Sequence, residues 1–252
     1  MKLMRNLFLS SLGKKYIMAA TGCVLFLFVL GHLAGNLQIF LGSAAINRYG
    51  NFLQSNPELI WPARVVLLAM VLLHIWSASK LSLENRAARP VAYAQYQPVG
   101  STYASRTMLM SGTIIFVFIV YHLLDFTFQV KAVNGTGQDF RQFAEQPAAV
   151  MVFAPSAGHG AEGAAGRHDI FKMMVTGFRV PWVSGFYILG MGLLCLHLSH
   201  GASSMFQSMG WKNEAYRPLL DNLARVVARL VFLGYVSIPV AILLGYGKEA
   251  MK

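Results

Sequence analysis

Long stretches without a formal charge alternate along the chain with short segments rich in lysine and arginine. Five of the uncharged stretches are apolar, at residues 16–45, 65–79, 107–124, 180–211 and 230–247. A helix needs about 20 mainly apolar residues to cross the hydrocarbon core of a membrane, and the second stretch reaches this length when residues 59–64 are included. The pattern predicts an all-α integral membrane protein with five transmembrane helices in a single domain.

The predicted helices cover approximately residues 16–41, 59–80, 106–128, 180–206 and 225–246. Residues 131–179 are polar and rich in glycine and alanine, and we expect an outer loop with some disorder there. The histidines of this loop, His159 and His168, have no acidic or cysteine partner at metal-ligand spacing. They are therefore expected to be exposed surface residues.

The composition agrees with a membrane location, since 56% of the 252 residues are hydrophobic and 12% are charged. Soluble domains average about 25% charged residues. The net charge of +11 lies in short segments beside the apolar stretches rather than on one soluble face, which argues against a nucleic-acid partner. With the N-terminus in the cytoplasm, that side holds twelve of the 21 basic residues but only three of the ten acidic ones. The positive-inside rule thus predicts a cytoplasmic N-terminus and an outside C-terminus.

Each of the first four predicted helices carries a histidine: His32, His74, His122 and His197, the last with His200 close by. A histidine at membrane depth usually faces the bundle interior and binds something. Because successive helices run in opposite directions, His32 and His122 fall in the outer leaflet, and His74 and His197 in the inner leaflet. Two imidazoles from different helices at one depth are what a six-coordinate haem iron requires. The pattern predicts that helices I–IV form a bundle around two stacked haems.

His197 and His200 compete for the inner position. His197 stands six residues before Ser203, as His74 stands six before Lys80, whereas His200 is one turn shallower. We therefore predict His197 as the ligand and leave His200 for a haem propionate or a quinone. For any single histidine, a hydrogen bond across helices is an equally good interpretation, but four histidines at two matched depths favour metal ligation.

Covalent attachment of haem is not predicted, because the chain has no C-x-x-C-H motif. Its two cysteines, Cys23 and Cys195, both lie inside predicted spans. The expected groups are therefore two b-type haems, held by axial ligands and packing alone.

Three segments point to a known family: GHLAGNLQIFLG around His32, NPELIWPAR before the second predicted helix, and LHLSHGASSMFQSMGW around His197. The chain resembles the di-haem cytochrome b subunit of bacterial succinate:quinone oxidoreductases, the cytochrome b558 type that includes fumarate reductases. The resemblance covers essentially the whole chain and departs from the family in the long loop at about 131–179. It implies that His32 and His122 ligate a distal haem, and His74 and His197 a proximal haem.

The resemblance also implies partners at the cytoplasmic face of the bacterial cytoplasmic membrane: a flavoprotein with FAD and an iron-sulfur subunit. The chain itself has no cysteine set for iron-sulfur clusters and no glycine-rich dinucleotide fingerprint. It would serve as the quinone-reactive, electron-transferring membrane anchor of a succinate dehydrogenase or fumarate reductase, with menaquinone as the expected quinone and no dicarboxylate chemistry of its own.

A quinone site needs an acid or base near a haem edge. Glu58 is the first candidate on the outer side, although an exposed loop carboxylate is the commoner role. Asp125 is the second, with a simple helix-end charge as the alternative. Arg64 and Arg106 are candidates for pairing with haem propionates, or they serve as topology charges and interfacial residues.

Other membrane proteins also collect histidines. A haem-b anchor of a hydrogenase or formate dehydrogenase predicts the same haem ligation but a different soluble partner. The cytochrome b of quinol:cytochrome c reductases carries two histidines on each of two helices, more than one turn apart, a pattern this sequence does not have. A haem-free transporter predicts internal repeats and broken helices, and no convincing repeat relates the two halves of the sequence.

Overall fold

Helices account for most of the residues that the computed structural model describes, which are residues 2–89, 91, 101–145 and 167–251. In chain order they are α1 (Lys2–Leu9), α2 (Ser11–Leu37), α3 (Ser43–Gln54), α4 (Pro57–Ala87), α5 (Tyr103–Arg106), α6 (Met108–His122), α7 (Ile170–Phe178), α8 (Pro181–Ser208) and α9 (Arg217–Leu243). Short 3-10 segments lie at Gln38–Leu41, Phe140–Gln142 and Lys248–Met251, and a π-helical turn, Leu123–Thr127, extends α6.

Five segments are long and apolar enough to cross a membrane: Ser11–Leu41, Pro57–Ala87, Met108–Thr127, Pro181–Ser208 and Arg217–Leu243. The prediction of an all-α membrane protein with five such helices is confirmed. The end of the bundle at which α2 begins is called the inner end, and the opposite end is called the outer end. The helices extend further at the inner end than the uncharged runs suggest: α2 begins at Ser11, where Ser10 caps it by accepting from Gly13 N at 3.0 Å, and α4 continues to Ala87.

The four histidine-bearing helices form a ring. α2 packs against α4 and α8, and α6 packs against α8 and contacts α4. It follows that α2 and α6 occupy opposite corners of the ring, as do α4 and α8. The fifth long helix, α9, lies against α8 and α2 on the outside of the ring. Gly190 allows α6 and α8 to approach closely, because a Cβ atom there would lie 2.6 Å from Cδ2 of Phe118.

Two ion pairs tie helices together at the inner end. Lys14 of α2 is 4% exposed and pairs with Glu84 of α4. Lys212 pairs with Asp221 of α9 at 2.5 Å and donates to Ser203 Oγ of α8 at 2.7 Å. Pairing offsets the cost of burying the two lysines, whose side chains are 5% and 9% exposed, whereas Glu84 and Asp221 stay partly exposed. The inner helix ends run past the charges that bound the uncharged stretches because a charge limits the apolar span and does not by itself end a helix.

A compact layer, here called the outer cap, covers the outer end and consists of α3, residues 128–145 and α7. Its apolar centre includes Phe140 and Val175, both fully buried. Asn47 of α3 is 1% exposed; its Nδ2 donates to Asp169 Oδ1 at 3.0 Å, and its Oδ1 accepts from Phe171 N at 2.9 Å. These bonds satisfy a buried amide and attach α7 to α3.

The outer cap corrects the expectation of an open loop at residues 131–179. Within the described part of that range, α7 is buried along most of its length. His168 is half-buried, with Nδ1 3.1 Å from the carbonyl oxygen of Phe143, so the expectation that it is an exposed surface residue does not hold. His159 lies outside the described residues. The uncharged-stretch pattern misses α7 because the helix has only nine residues, too few to cross a membrane, and it follows directly on the glycine- and alanine-rich segment.

Candidate functional site

The rings of His32 and His122 face each other near the outer end of the bundle. Their centroids are 5.8 Å apart and their planes are inclined by 77°. His32 comes from α2 and His122 from the last residue of α6, at opposite corners of the ring of helices. We call these two residues the outer pair.

A second pair lies deeper in the bundle. The ring centroids of His74 and His197 are 6.4 Å apart, with an interplanar angle of 62°. His74 comes from α4 and His197 from α8, the other two opposite corners. We call these two residues the inner pair. The four histidines that sequence analysis selected are thus brought together two by two, in the combination that their depths predict.

The spacing within each pair suits a metal ion between the rings. A metal ion bound by two imidazoles lies about 2 Å from each ligating nitrogen. When the distance from each nitrogen to the centroid of its ring is added, the two centroids are about 6 Å apart. The outer pair at 5.8 Å and the inner pair at 6.4 Å lie on either side of this value. Because each pair spans a diagonal of the helix ring, the two imidazoles of a pair come from opposite sides of the bundle.

Hydroxyl groups hold the inner pair from behind. Thr21 Oγ1 donates to the Ile17 carbonyl oxygen at 2.7 Å, so its oxygen is free to accept from His74 Nδ1, 3.1 Å away. Ser111 Oγ donates to the Met108 carbonyl oxygen at 3.2 Å and lies 3.3 Å from His197 Nδ1. Because both hydroxyl hydrogens can be used on backbone carbonyl oxygens, these contacts favour the tautomer in which Nδ1 carries the hydrogen and Nε2 keeps its lone pair. Hydrogen bonding of the second ring nitrogen is the usual arrangement for a histidine that ligates a metal.

A hydroxyl group also lies behind His122 of the outer pair. Tyr187 Oη donates to Asp125 Oδ2 at 3.1 Å, and its oxygen lies 3.2 Å from His122 Nδ1. The fourth histidine, His32, is positioned by packing, since its ring stacks on Phe28 with a centroid separation of 5.3 Å and an interplanar angle of 17°.

The two pairs lie at different levels of the bundle. Their separation can be estimated independently from residue spacing on α2 and on α6. Thr21, at the inner level, precedes His32 by eleven residues on α2. Ser111, at the inner level, precedes His122 by eleven residues on α6. At about 1.5 Å of rise per residue, both helices place the two levels about 16 Å apart. The two histidine pairs therefore lie one above the other along the bundle.

Glycine follows each of the two inner-level hydroxyl residues. A Cβ atom on Gly22 would lie 3.3 Å from Cε1 of His74, and one on Gly112 would lie 3.5 Å from Cε1 of His197. These glycines leave room beside the imidazoles. Gly35, one turn after His32, serves a different contact: it receives the ring of Tyr49 from α3, at 2.7 Å from the position of an added Cβ.

Sequence analysis did not select Thr21, Ser111 or Tyr187. A signal for the first two is present, since a hydroxyl residue followed by glycine stands eleven residues before the histidine on both α2 and α6. Tyr187 has no such signal, because its contact with His122 depends on how α6 and α8 are rotated against each other.

The remaining candidates have mainly local contacts. The guanidinium of Arg64 lies 5.2 Å from the centre of the Trp61 ring, and Arg106 Nη1 donates to the Ser101 carbonyl oxygen at 3.3 Å. Glu58 is exposed in the first turn of α4, where its negative charge interacts favourably with the positive N-terminal end of the helix dipole. The proposed contacts of these three residues with haem propionates or quinone stay predictions.

His200 and Asp125 have more specific surroundings. His200 lies one turn beyond His197, within electrostatic range of Lys212 and Asp221 at the inner end of α8. Asp125 is fully buried behind the outer pair. The assignment of Asp125 as a mere helix-end charge therefore has little support from its position.

Within the described residues, no group of three or more His, Cys, Asp or Glu side chains is placed to hold a metal ion. A haem needs only two protein ligands, because its macrocycle supplies the other four. No family model matches the chain, and comparison with curated proteins and with solved structures also gave no match.

Proposed function

We propose that this protein is the membrane-anchor cytochrome b subunit of a succinate:quinone oxidoreductase, carrying electrons between an iron-sulfur subunit and membrane quinone. The observation that supports this proposal is the pairing of four intramembrane histidines across both diagonals of one helix ring, at two levels. Three of the four direct Nδ1 at a hydroxyl oxygen, which leaves Nε2 for a metal.

The residues that would hold the cofactors follow from this geometry. His32 and His122 would ligate one b haem and His74 and His197 the other, without covalent attachment. When bound, the two haems supply one-electron redox centres within the bundle. The protein's own part is to fix the imidazole orientation through Thr21, Ser111 and Tyr187, and to exclude water with apolar side chains between the levels. Each proposed ligand and each hydroxyl residue can be replaced and its effect on haem binding tested separately.

The proposed orientation places the N-terminus in the cytoplasm of a bacterium, with the protein in the cytoplasmic membrane. The flavoprotein with FAD and the iron-sulfur subunit would then dock at the inner end, near His200 and the Lys212–Asp221 ion pair. Quinone, with menaquinone as the expected type, would react at a membrane interface, and Glu58 is the proposed acid or base on the outer side. His200 is proposed to contact a propionate or quinone at the inner end.

The first experiment is a haem assay with a dithionite-reduced minus oxidised spectrum on the purified protein and on four variants, His32→Ala, His74→Ala, His122→Ala and His197→Ala. The wild type is expected to carry two low-spin b haems per chain. The variants at positions 32 and 122 should lose or perturb one spectral component, and those at 74 and 197 the other. His168→Gln is the control, since it removes a histidine of the outer cap that belongs to neither pair, and it should retain both haems.

Absence of haem in the wild-type protein would refute the proposal and favour a haem-free membrane role. Pairing of the spectral components in another combination, such as His32 with His74, would refute the assignment of ligands. The soluble partner is tested in native membranes by adding succinate, hydrogen or formate and following haem reduction. Reduction by succinate supports the proposal, whereas reduction by hydrogen or formate alone would assign the chain to the anchor of a hydrogenase or formate dehydrogenase.

A further inference from the structure

A carboxyl group lies buried behind the outer pair. Asp125 is 0% exposed and follows His122 by three residues, in the π-helical turn Leu123–Thr127. In this turn the Phe128 amide donates to the Leu123 carbonyl oxygen at 2.7 Å, five residues back. Turns of this kind are rare and are often found at functional sites. The carboxyl group contacts Tyr187 of α8.

Asp125 is linked to His122 through one side chain of α8. Tyr187 Oη donates to Asp125 Oδ2 at 3.1 Å, and the same oxygen lies 3.2 Å from His122 Nδ1. Because the hydroxyl hydrogen is used on the carboxyl oxygen, the tyrosine oxygen accepts the Nδ1 hydrogen. The ring of Tyr187 is held between Phe118 and Phe178, with centroids at 5.1 and 4.9 Å. Such packing leaves the hydroxyl little freedom to turn away.

The chain of hydrogen bonds behind the outer pair ends differently from those behind the inner pair. The hydroxyls of Thr21 and Ser111 donate to backbone carbonyl oxygens of their own helices. The hydroxyl of Tyr187 donates to a side-chain carboxyl, and the other oxygen of that carboxyl, Oδ1, is buried without a hydrogen-bond partner among the described residues. A carboxylate is a stronger acceptor than an amide carbonyl, so the outer histidine is held by the stronger chain.

We propose that Asp125 is a positioning residue for the outer pair, acting through Tyr187 on His122. It holds the imidazole with Nδ1 protonated and Nε2 directed at His32, and it makes Nε2 of His122 a stronger electron donor to a bound iron than Nε2 of the inner histidines. A more electron-donating ligand favours the oxidised metal, so Asp125 lowers the midpoint potential of the outer site. This inference rests on the proposed binding of two haems.

The test is an equilibrium redox titration, followed in the haem α-band, of the purified wild type and of the variants Asp125→Asn and Tyr187→Phe. Both variants keep the shape of the side chain. Both are expected to raise the midpoint potential of the component that His32→Ala removes and to leave the other component unchanged. Asp125→Glu, which keeps the carboxyl group, should restore part of the shift. Ser111→Ala is the matched control and should move only the other component.

The outcomes separate the two proposals. A wild-type protein without haem refutes the proposed function. Two haems with unchanged potentials in both Asp125→Asn and Tyr187→Phe refute the role of Asp125 and leave the proposed function standing. Equal shifts of both components would also refute it, because a general loosening of the bundle, rather than a specific effect on His122, would explain them. If Asp125→Asn fails to fold, an unchanged potential in Tyr187→Phe still refutes the role of Asp125, because the carboxyl acts on His122 only through that hydroxyl.

Discussion

Replacing Thr21 by valine removes one oxygen atom from behind the inner pair and changes the shape of the side chain very little. Thr21 is 4% exposed, and its Oγ1 is 3.1 Å from His74 Nδ1. Without this oxygen, the His74 ring keeps its hydrogen bond with the Met18 backbone but loses the hydroxyl, and the loss of one such hydrogen bond costs about 0.5–1.5 kcal/mol. Loss of such a contact behind a metal ligand weakens metal binding by about 10- to 100-fold, and this range corresponds to about 1.4–2.8 kcal/mol. The two ranges meet at about 1.5 kcal/mol, which corresponds to about a tenfold weaker binding.

Thr113→Val is a matched control for this substitution. Thr113 lies on α6, is exposed, and its hydroxyl donates at 2.9 Å to the carbonyl oxygen four residues before it, as the Thr21 hydroxyl does. The two variants thus lose the same intrahelical hydrogen bond, and only Thr21→Val also loses a contact with a histidine. The effect of the histidine contact is the difference between them.

The measurement is the rate and extent of haem loss from the detergent-solubilised protein to an excess of a haem-scavenging apoprotein. Thr21→Val is expected to release the haem of the inner pair more readily and to retain the other haem as the wild type does. If Thr21→Val and Thr113→Val retain both haems equally well, the hydroxyl–imidazole contact does not contribute to haem binding, and the argument from the Nδ1 partners fails.

Three further predictions concern the parts of the molecule that hold the site. Asn47→Asp should destabilise the outer cap by about 3 kcal/mol at neutral pH. In the wild type, Asn47 Nδ2 donates to Asp169 Oδ1 at 3.0 Å, and the substitution replaces this donor with a second carboxylate. Thermal unfolding should show partial recovery of stability at low pH. Lys14→Met should reduce the free energy of unfolding by about 1 kcal/mol, and so lower the unfolding temperature, because it removes the partner of the half-exposed Glu84 carboxylate. Burial lowers the pKa of His168 below its ordinary value, although the Phe143 carbonyl and Asp169 act in the opposite direction. The unfolded cap therefore binds a proton more readily than the folded cap, and the cap loses stability as pH falls below about 6.5. Limited proteolysis of the cap should become faster below this pH.

Each of these predictions has its own control. Asn51→Asp adds the same charge one turn further along α3 at a partly exposed position and should change stability little. The double variant Lys14→Met with Glu84→Gln should recover part of the loss, because no unpaired charge remains. His168→Gln should remove the pH dependence of proteolysis. An unchanged pH dependence in that variant would assign the effect to another group.

The number of spans and the depth of the histidines were predictable from the sequence because both depend on local composition measured against the thickness of a membrane. The uncharged stretch that carries His32 is long enough to cross once, and so is the one that carries His122. Alternating directions then place these two histidines at one level and His74 with His197 at the other. No tertiary contact is needed for that step.

The helix ends and the outer cap were less predictable. The sequence argument ended helices at charged residues, but Lys14 and Glu84 pair inside the bundle, and both helices continue past them. Sequence analysis grouped α7 with the polar segment before it, yet the helix is largely apolar and is buried along most of its length. Pairing and burial of this kind involve residues far apart in the chain, so composition in a local window does not report them.

What the sequence determined by itself, then, is that four histidines lie in four apolar helices at two depths. Only the tertiary structure decided that each pair spans a diagonal of the helix ring, with centroids 5.8 and 6.4 Å apart. It also decided that Thr21, Ser111 and Tyr187 stand behind three of the rings, and that Asp125 is turned inward. Depth follows from position along one helix, whereas these contacts depend on how each helix is rotated about its axis, and that rotation is set by packing between helices.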